Sequence, residues 1–150
     1  MRQKLKSLLC TAIPLLFSTL SFSADLDIEI SGVKSNAGAI LLVLIDNQKS
    51  YQNLLNGEMN EEVYAYYLLS PYGDRIELSI KNYPEGEYVM VVMHDENSNG
   101  ELDTSKFGIP TEGFGISNYA GGDLPGYEEA KVRVDGKAKG STKMLIHYPR

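Results

Sequence analysis

Oxygen-bearing side chains recur at every second position in the stretch His94-Asp95-Glu96-Asn97-Ser98-Asn99-Gly100-Glu101-Leu102-Asp103, with Asp103 following just beyond a glycine. A hard cation such as Ca²⁺ needs this pattern, because it is held by about six to eight oxygens converging from one sharply turning loop. Counted as an EF-hand, Asp95, Asn97 and Asn99 fill the first three side-chain positions and Gly100 fills the turn. Glu101 offers its backbone carbonyl, and Asp103 stands at the ninth position. The twelfth position holds Lys106 instead of a bidentate glutamate, and the apolar run 88–93 ahead of the loop reads as a strand, so this is not an EF-hand. The expectation is a Ca²⁺ loop on a β-scaffold, with ligands Asp95, Asn97, Asn99, Glu101 and Asp103. Glu112 or Asp123 is the candidate for the missing ligand. With only two carboxylates, affinity should be weak, with a Kd of roughly 10⁻⁴ to 10⁻³ M. The competing reading is a strand-end loop whose Asp and Asn side chains bond to their own backbone.

Other chemistry has less to stand on. His94 and His147 are the two histidines of the chain, and its one cysteine is Cys10, too few for a zinc site. Strand alternation points His94 away from Asp95, as a structural or surface residue. Phe107, Phe114 and Tyr119 could form a ligand-binding lip, or else pack over the end of the fold. There is no Gly-x-Ser-x-Gly elbow, no phosphate-cradling glycine loop and no metalloprotease helix. A non-catalytic protein is expected.

The elements that must position the loop are mostly strands. Residues 25–31 alternate acidic with apolar, the period of a half-buried strand. The seven-residue apolar run 39–45 suits a strand buried on both faces. Residues 47–56 suit one short helix, capped by Asp46 or Asn47, carrying Tyr51, Leu54 and Leu55 and ended by Asn56-Gly57. Strands are expected at 61–70, with Val63, Ala65, Tyr67 and Leu69 on one face and Tyr64 and Tyr66 on the other, and at 75–81 and 87–94. A long loop spans 104–127, and two last strands lie at 130–134 and 142–148. The expected fold is all-β: a single seven-stranded antiparallel sandwich, Ig- or transthyretin-like.

Residues 1–24 read as a cleaved export signal: Arg2, Lys4 and Lys6, an apolar run over 8–20, then small residues. Cleavage after Ser23 or after Ala24 both remain open. Residues 25–150 are then one domain, periplasmic or secreted, with no stable membrane anchor. Three of the 14 basic residues and none of the 20 acidic ones lie in 1–24, so the remainder carries 11 positive against 20 negative charges. Phosphate-rich partners reward positive charge, so nucleic acid is excluded as a partner. An unidentified protein or small ligand of the envelope is expected instead.

Tyr83-Pro84-Glu85-Gly86-Glu87-Tyr88, the loop itself, Phe107-Gly108-Ile109-Pro110-Thr111-Glu112-Gly113-Phe114-Gly115-Ile116-Ser117-Asn118, Tyr127-Glu128-Glu129-Ala130 and Ile146-His147-Tyr148 together resemble the bacterial DUF2141 family. The likeness runs from about residue 27 to the end, and Ile116 stands where many relatives carry a second aromatic. The resemblance implies an exported single-domain β protein and supplies no catalytic residues. The Pro84-Glu85-Gly86-Glu87-Tyr88 turn is also similar to transthyretin-like and Cna-B-like sandwich modules, at the level of fold only. Three functions follow as expectations: an exported binding or accessory module with a structural Ca²⁺, a metal-free interaction domain of the envelope, and, least supported, an envelope enzyme.

Overall fold

The computed structural model describes residues 22–58, 65–106, 110–137 and 142–148. Residues 1–21, and with them most of the expected signal, lie outside that set, as do Val63, Tyr64 and Phe107. In chain order the elements are β1 (Ser23–Ser31), β2 (Ala39–Ile45), α1 (Gln48–Leu55), β3 (Ala65–Leu69), β4 (Arg75–Pro84) and β5 (Gly86–Asp95). After the loop come β6 (Gly113–Ile116), α2 (Tyr127–Ala130), β7 (Val132–Val134) and β8 (Thr142–Leu145).

Two sheets pack face to face. One has three strands in the order β4-β1-β8; the other has five, ordered β3-β2-β5-β6 with β7 against the start of β5. Between them lies a core of Leu26, Ile28 and Ile30 from β1, Ile40, Leu42 and Leu44 from β2, and Met90 and Val92 from β5. A second cluster lies on the outer face of the five-stranded sheet, where Tyr51 of α1 and Ala130 of α2 cover Val43, Ile45, Val89 and Val91. β2 and β5 are therefore buried on both faces, which explains their unbroken apolar runs. Each fully buried aliphatic side chain contributes about 1.5–3 kcal/mol relative to exposure. The strand that delivers the loop, β5, is thus among the most firmly held. β3 behaves as its alternation predicts: Ala65, Tyr67 and Leu69 pack inward, and Tyr66 and Leu68 face solvent.

Three expectations need correction. The described strands number eight, not seven, because β6 lies inside the stretch read as a loop over 104–127. The fold is not purely antiparallel, since β8 runs parallel to β1 from Ile28↔Thr142 to Ser31↔Leu145. β8 arrives after the chain has crossed over from β7 in the other sheet, and such a crossover, unlike a hairpin, permits a parallel neighbour. Nor is it strictly all-β: two helices cover the five-stranded sheet, giving a mixed sandwich. The expected helix near 47–56 is α1, with the Asn47 side chain accepting from the Ser50 N–H at 2.8 Å. α2 takes Ala130, expected to begin a strand. Its first turn is closed by the Glu129 carboxylate, which accepts from the Gly126 N–H at 2.9 Å.

β6 explains how the two sheets join. The chain leaves β1 after Leu145: Ile146 N–H donates to Ser31 C=O at 2.9 Å, then His147 and Phe114 exchange backbone bonds at 2.7 and 3.0 Å. This close approach requires glycine. A Cβ at Gly115 would lie 2.4 Å from the Leu145 carbonyl oxygen, and one at Gly113 would lie 2.6 Å from the Tyr148 ring.

Candidate functional site

Asp95 ends β5, and the loop begins there. Its partner across the sheet is Ala39 of β2, so the first loop residue is fixed by backbone pairing. His94, just before it, is fully buried. Nε2 of His94 lies 2.9 Å from the Ala37 carbonyl, which can only accept, so this nitrogen donates; Nδ1 then accepts from the Tyr148 hydroxyl. Both nitrogens of His94 are thereby engaged in anchoring the 33–38 connection and the chain end to β5. Of the two alternatives for His94, structural or surface, its full burial favours the structural one.

Within the loop, side chains and backbone close a compact network. The Asp95 carboxylate accepts from the N–H groups of Asn99 (3.1 Å) and Gly100 (2.8 Å). Asn97 Oδ1 accepts from the same Asn99 N–H at 2.9 Å, and Asn99 Oδ1 accepts from Glu101 N–H at 2.8 Å. The Asp103 carboxylate receives both side-chain amides, Asn97 Nδ2 at 2.6 Å and Asn99 Nδ2 at 3.0 Å. Two positive φ angles, 60° at Ser98 and 82° at Gly100, turn the chain tightly enough for this. Asp95, Asn97, Asn99 and Asp103 are therefore brought together as their spacing suggests. Glu101 lies on the same turn with an exposed side chain.

Glu112 plays a part that spacing alone does not reveal. It is 6% exposed, and its two carboxylate oxygens accept from Glu96 N–H at 2.9 Å and Asp103 N–H at 3.1 Å. One buried carboxylate thus clamps both ends of the loop, and Thr111 N–H adds a bond to the Asp103 carbonyl at 2.7 Å. A residue so used braces the loop through both of its carboxylate oxygens. Asp123 lies in an exposed bend after β6. Phe114 and Tyr119 stack with centroids 6.1 Å apart, and Tyr119 meets the His147 ring at 4.8 Å. These rings cap the chain end.

Beside the loop is one apolar cleft of about 60 Å³ between Leu41, Leu68, Met93 and Leu102, with Asp95 and Glu101 at its rim. Among the described residues no three His, Cys, Asp or Glu side chains converge. No described helix is long and apolar enough to cross a membrane.

The family model described as "Uncharacterized protein conserved in bacteria (DUF2141)" matches residues 28–142, most of the chain. The chain belongs to that family. The match begins within β1, ends at the start of β8 and takes in the whole of the 95–103 loop with its brace at Glu112. No curated protein and no solved structure matches this DUF2141 chain.

Proposed function

We propose that this DUF2141 domain is an exported, non-catalytic binding or accessory module of the cell envelope whose 95–103 loop takes up one Ca²⁺. The observation that carries the reading is the convergence of Asp95, Asn97, Asn99 and Asp103 on one exposed, braced turn. The two side-chain amides point N–H groups at the Asp103 carboxylate, the position a cation would take. A half-turn of each amide presents its oxygen instead. Five oxygens then come from the protein: those of the four side chains and the Glu101 carbonyl. Water completes a shell of about six to eight. Turning the amides gives up the Oδ1 bonds from the Asn99 and Glu101 N–H groups, while Glu112 holds both ends of the loop in place.

Equilibrium dialysis of the exported protein against Ca²⁺ tests the proposal. One ion per chain is expected, with a Kd of roughly 10⁻⁴ to 10⁻³ M, selective over Mg²⁺ and lost in Asp95→Ala. Unchanged uptake in Asp95→Ala would remove the loop from consideration.

A metal-free interaction domain is the second reading. It is favoured by the same network, in which both Asp95 and Asp103 carboxylates already have donors. The exposed Tyr66 and Leu68 on β3, the outermost strand of its sheet, would then offer the contact surface.

A further inference from the structure

The start of β1 bears on how the chain is processed, and the argument rests on the reading of the protein as exported. Ser23 and Ala24 both belong to β1, opposite Pro84 and Tyr83 of β4. Ala24 is 6% exposed and is a member of the core between the sheets, beside Tyr83. Ser23 is exposed, and Phe22 is 68% exposed. The change from exposed to buried side chains at the start of β1 thus falls at one peptide bond.

We propose that this bond, Ser23–Ala24, is the one hydrolysed when the leader is removed, so that the mature chain begins at Ala24. The agent is an export peptidase of the class that reads small side chains at the residue before the cut and two residues further back. Water adds across the amide: Ser23 leaves with the leader as a carboxylate, and Ala24 keeps its nitrogen as a free α-ammonium group. Cutting here gives up the bond from Glu85 N–H to the Phe22 carbonyl, at 3.2 Å, and the pairing of Ser23 with Pro84, which has no N–H to donate. Both losses are at an exposed strand end. Cutting one bond later would remove Ala24 from the core and start β1 at Asp25. The peptidase's preference selects the same bond, since Ser21 and Ser23 are both small, whereas the later cut would place Phe22 at the outer position. A paired strand cannot enter a protease cleft, so cleavage precedes closure of β1 on β4.

The test is the intact mass of the protein recovered from the envelope fraction and medium of a bacterium expressing residues 1–150. The expected mass is that of residues 24–150, and Ser23→Tyr should block processing and leave the full-length mass. A product one alanine lighter, or any other start, would overturn the assigned bond while leaving export intact, as would processing of Ser23→Tyr at the same bond. A full-length chain retained in the cytoplasm would overturn the export reading and the cleavage with it.

Discussion

Glu112 ties both ends of the loop to the chain that leads into β6. Its buried carboxylate satisfies two backbone N–H groups, those of Glu96 and Asp103, that would otherwise lose their partners. Both donors are part-buried and a hydrogen bond to a charged acceptor contributes about 1.5–3 kcal/mol, so Glu112→Ala should destabilise the domain by roughly 1–3 kcal/mol, read from urea unfolding. Glu112→Gln keeps one acceptor and should fall between. A loss below about 0.5 kcal/mol for Glu112→Ala would mean that the clamp is not needed. Tyr51 offers a residue-scale test of the outer core. Its hydroxyl donates to the Pro125 carbonyl at 2.7 Å, and burial, with the Glu129 carboxylate adding, pushes the phenol above its ordinary value of 10.0. The fold therefore prefers the neutral phenol. Its contribution is complete below pH 10.0 and is lost as pH rises from there towards the higher folded value. Tyr51→Phe should flatten the alkaline decline in thermal stability, and an unchanged decline would assign it to other groups.

At the scale of elements, β6 separates what was readable from what was not. The strands β1, β2, β4 and β5 announce themselves through apolar runs or strict alternation, and α1 through Asn47 and the Asn56-Gly57 stop. β6 reads Gly-Phe-Gly-Ile, and its glycines, a residue type depleted in strands, stand there because the demand at its inward positions is for absence of a side chain. Two glycines two residues apart were the available signal. The parallel β1–β8 pairing left no trace, since pairing partners far apart in sequence do not mark local patterns. The site divides in the same way. Asp95, Asn97, Asn99 and Asp103 were legible from spacing, which local turn chemistry obeys. The brace role of Glu112 was not, because it depends on β6 returning the chain beneath the loop. The prediction at this scale is Gly115→Ala. Its new methyl would meet the Leu145 carbonyl oxygen at 2.4 Å and force β8 away from β6. A loss of about 1–3 kcal/mol, as for overpacking, is expected in chemical denaturation. A neutral result would show that the chain end can give way.

The whole molecule is a sandwich closed along one side, where His147 meets Phe114, with the five-stranded sheet further covered by two helices. The 95–103 loop leaves the strand that is buried on both faces and is braced from β6, so whatever it binds is coupled to the stability of the entire fold. Uptake of the proposed Ca²⁺ should therefore be visible in global unfolding. The most direct measurement is thermal unfolding of residues 24–150 in EDTA and in millimolar Ca²⁺, with Mg²⁺ as control. At ten times Kd, binding to the folded state alone stabilises by about 1.4 kcal/mol. For a domain of this size that raises Tm by roughly 3–8 °C. The account predicts such a rise with Ca²⁺, a smaller one with Mg²⁺ and none in Asp95→Ala. Superimposable curves in EDTA and in several millimolar Ca²⁺ would contradict it, leaving a self-bonded turn and a metal-free domain.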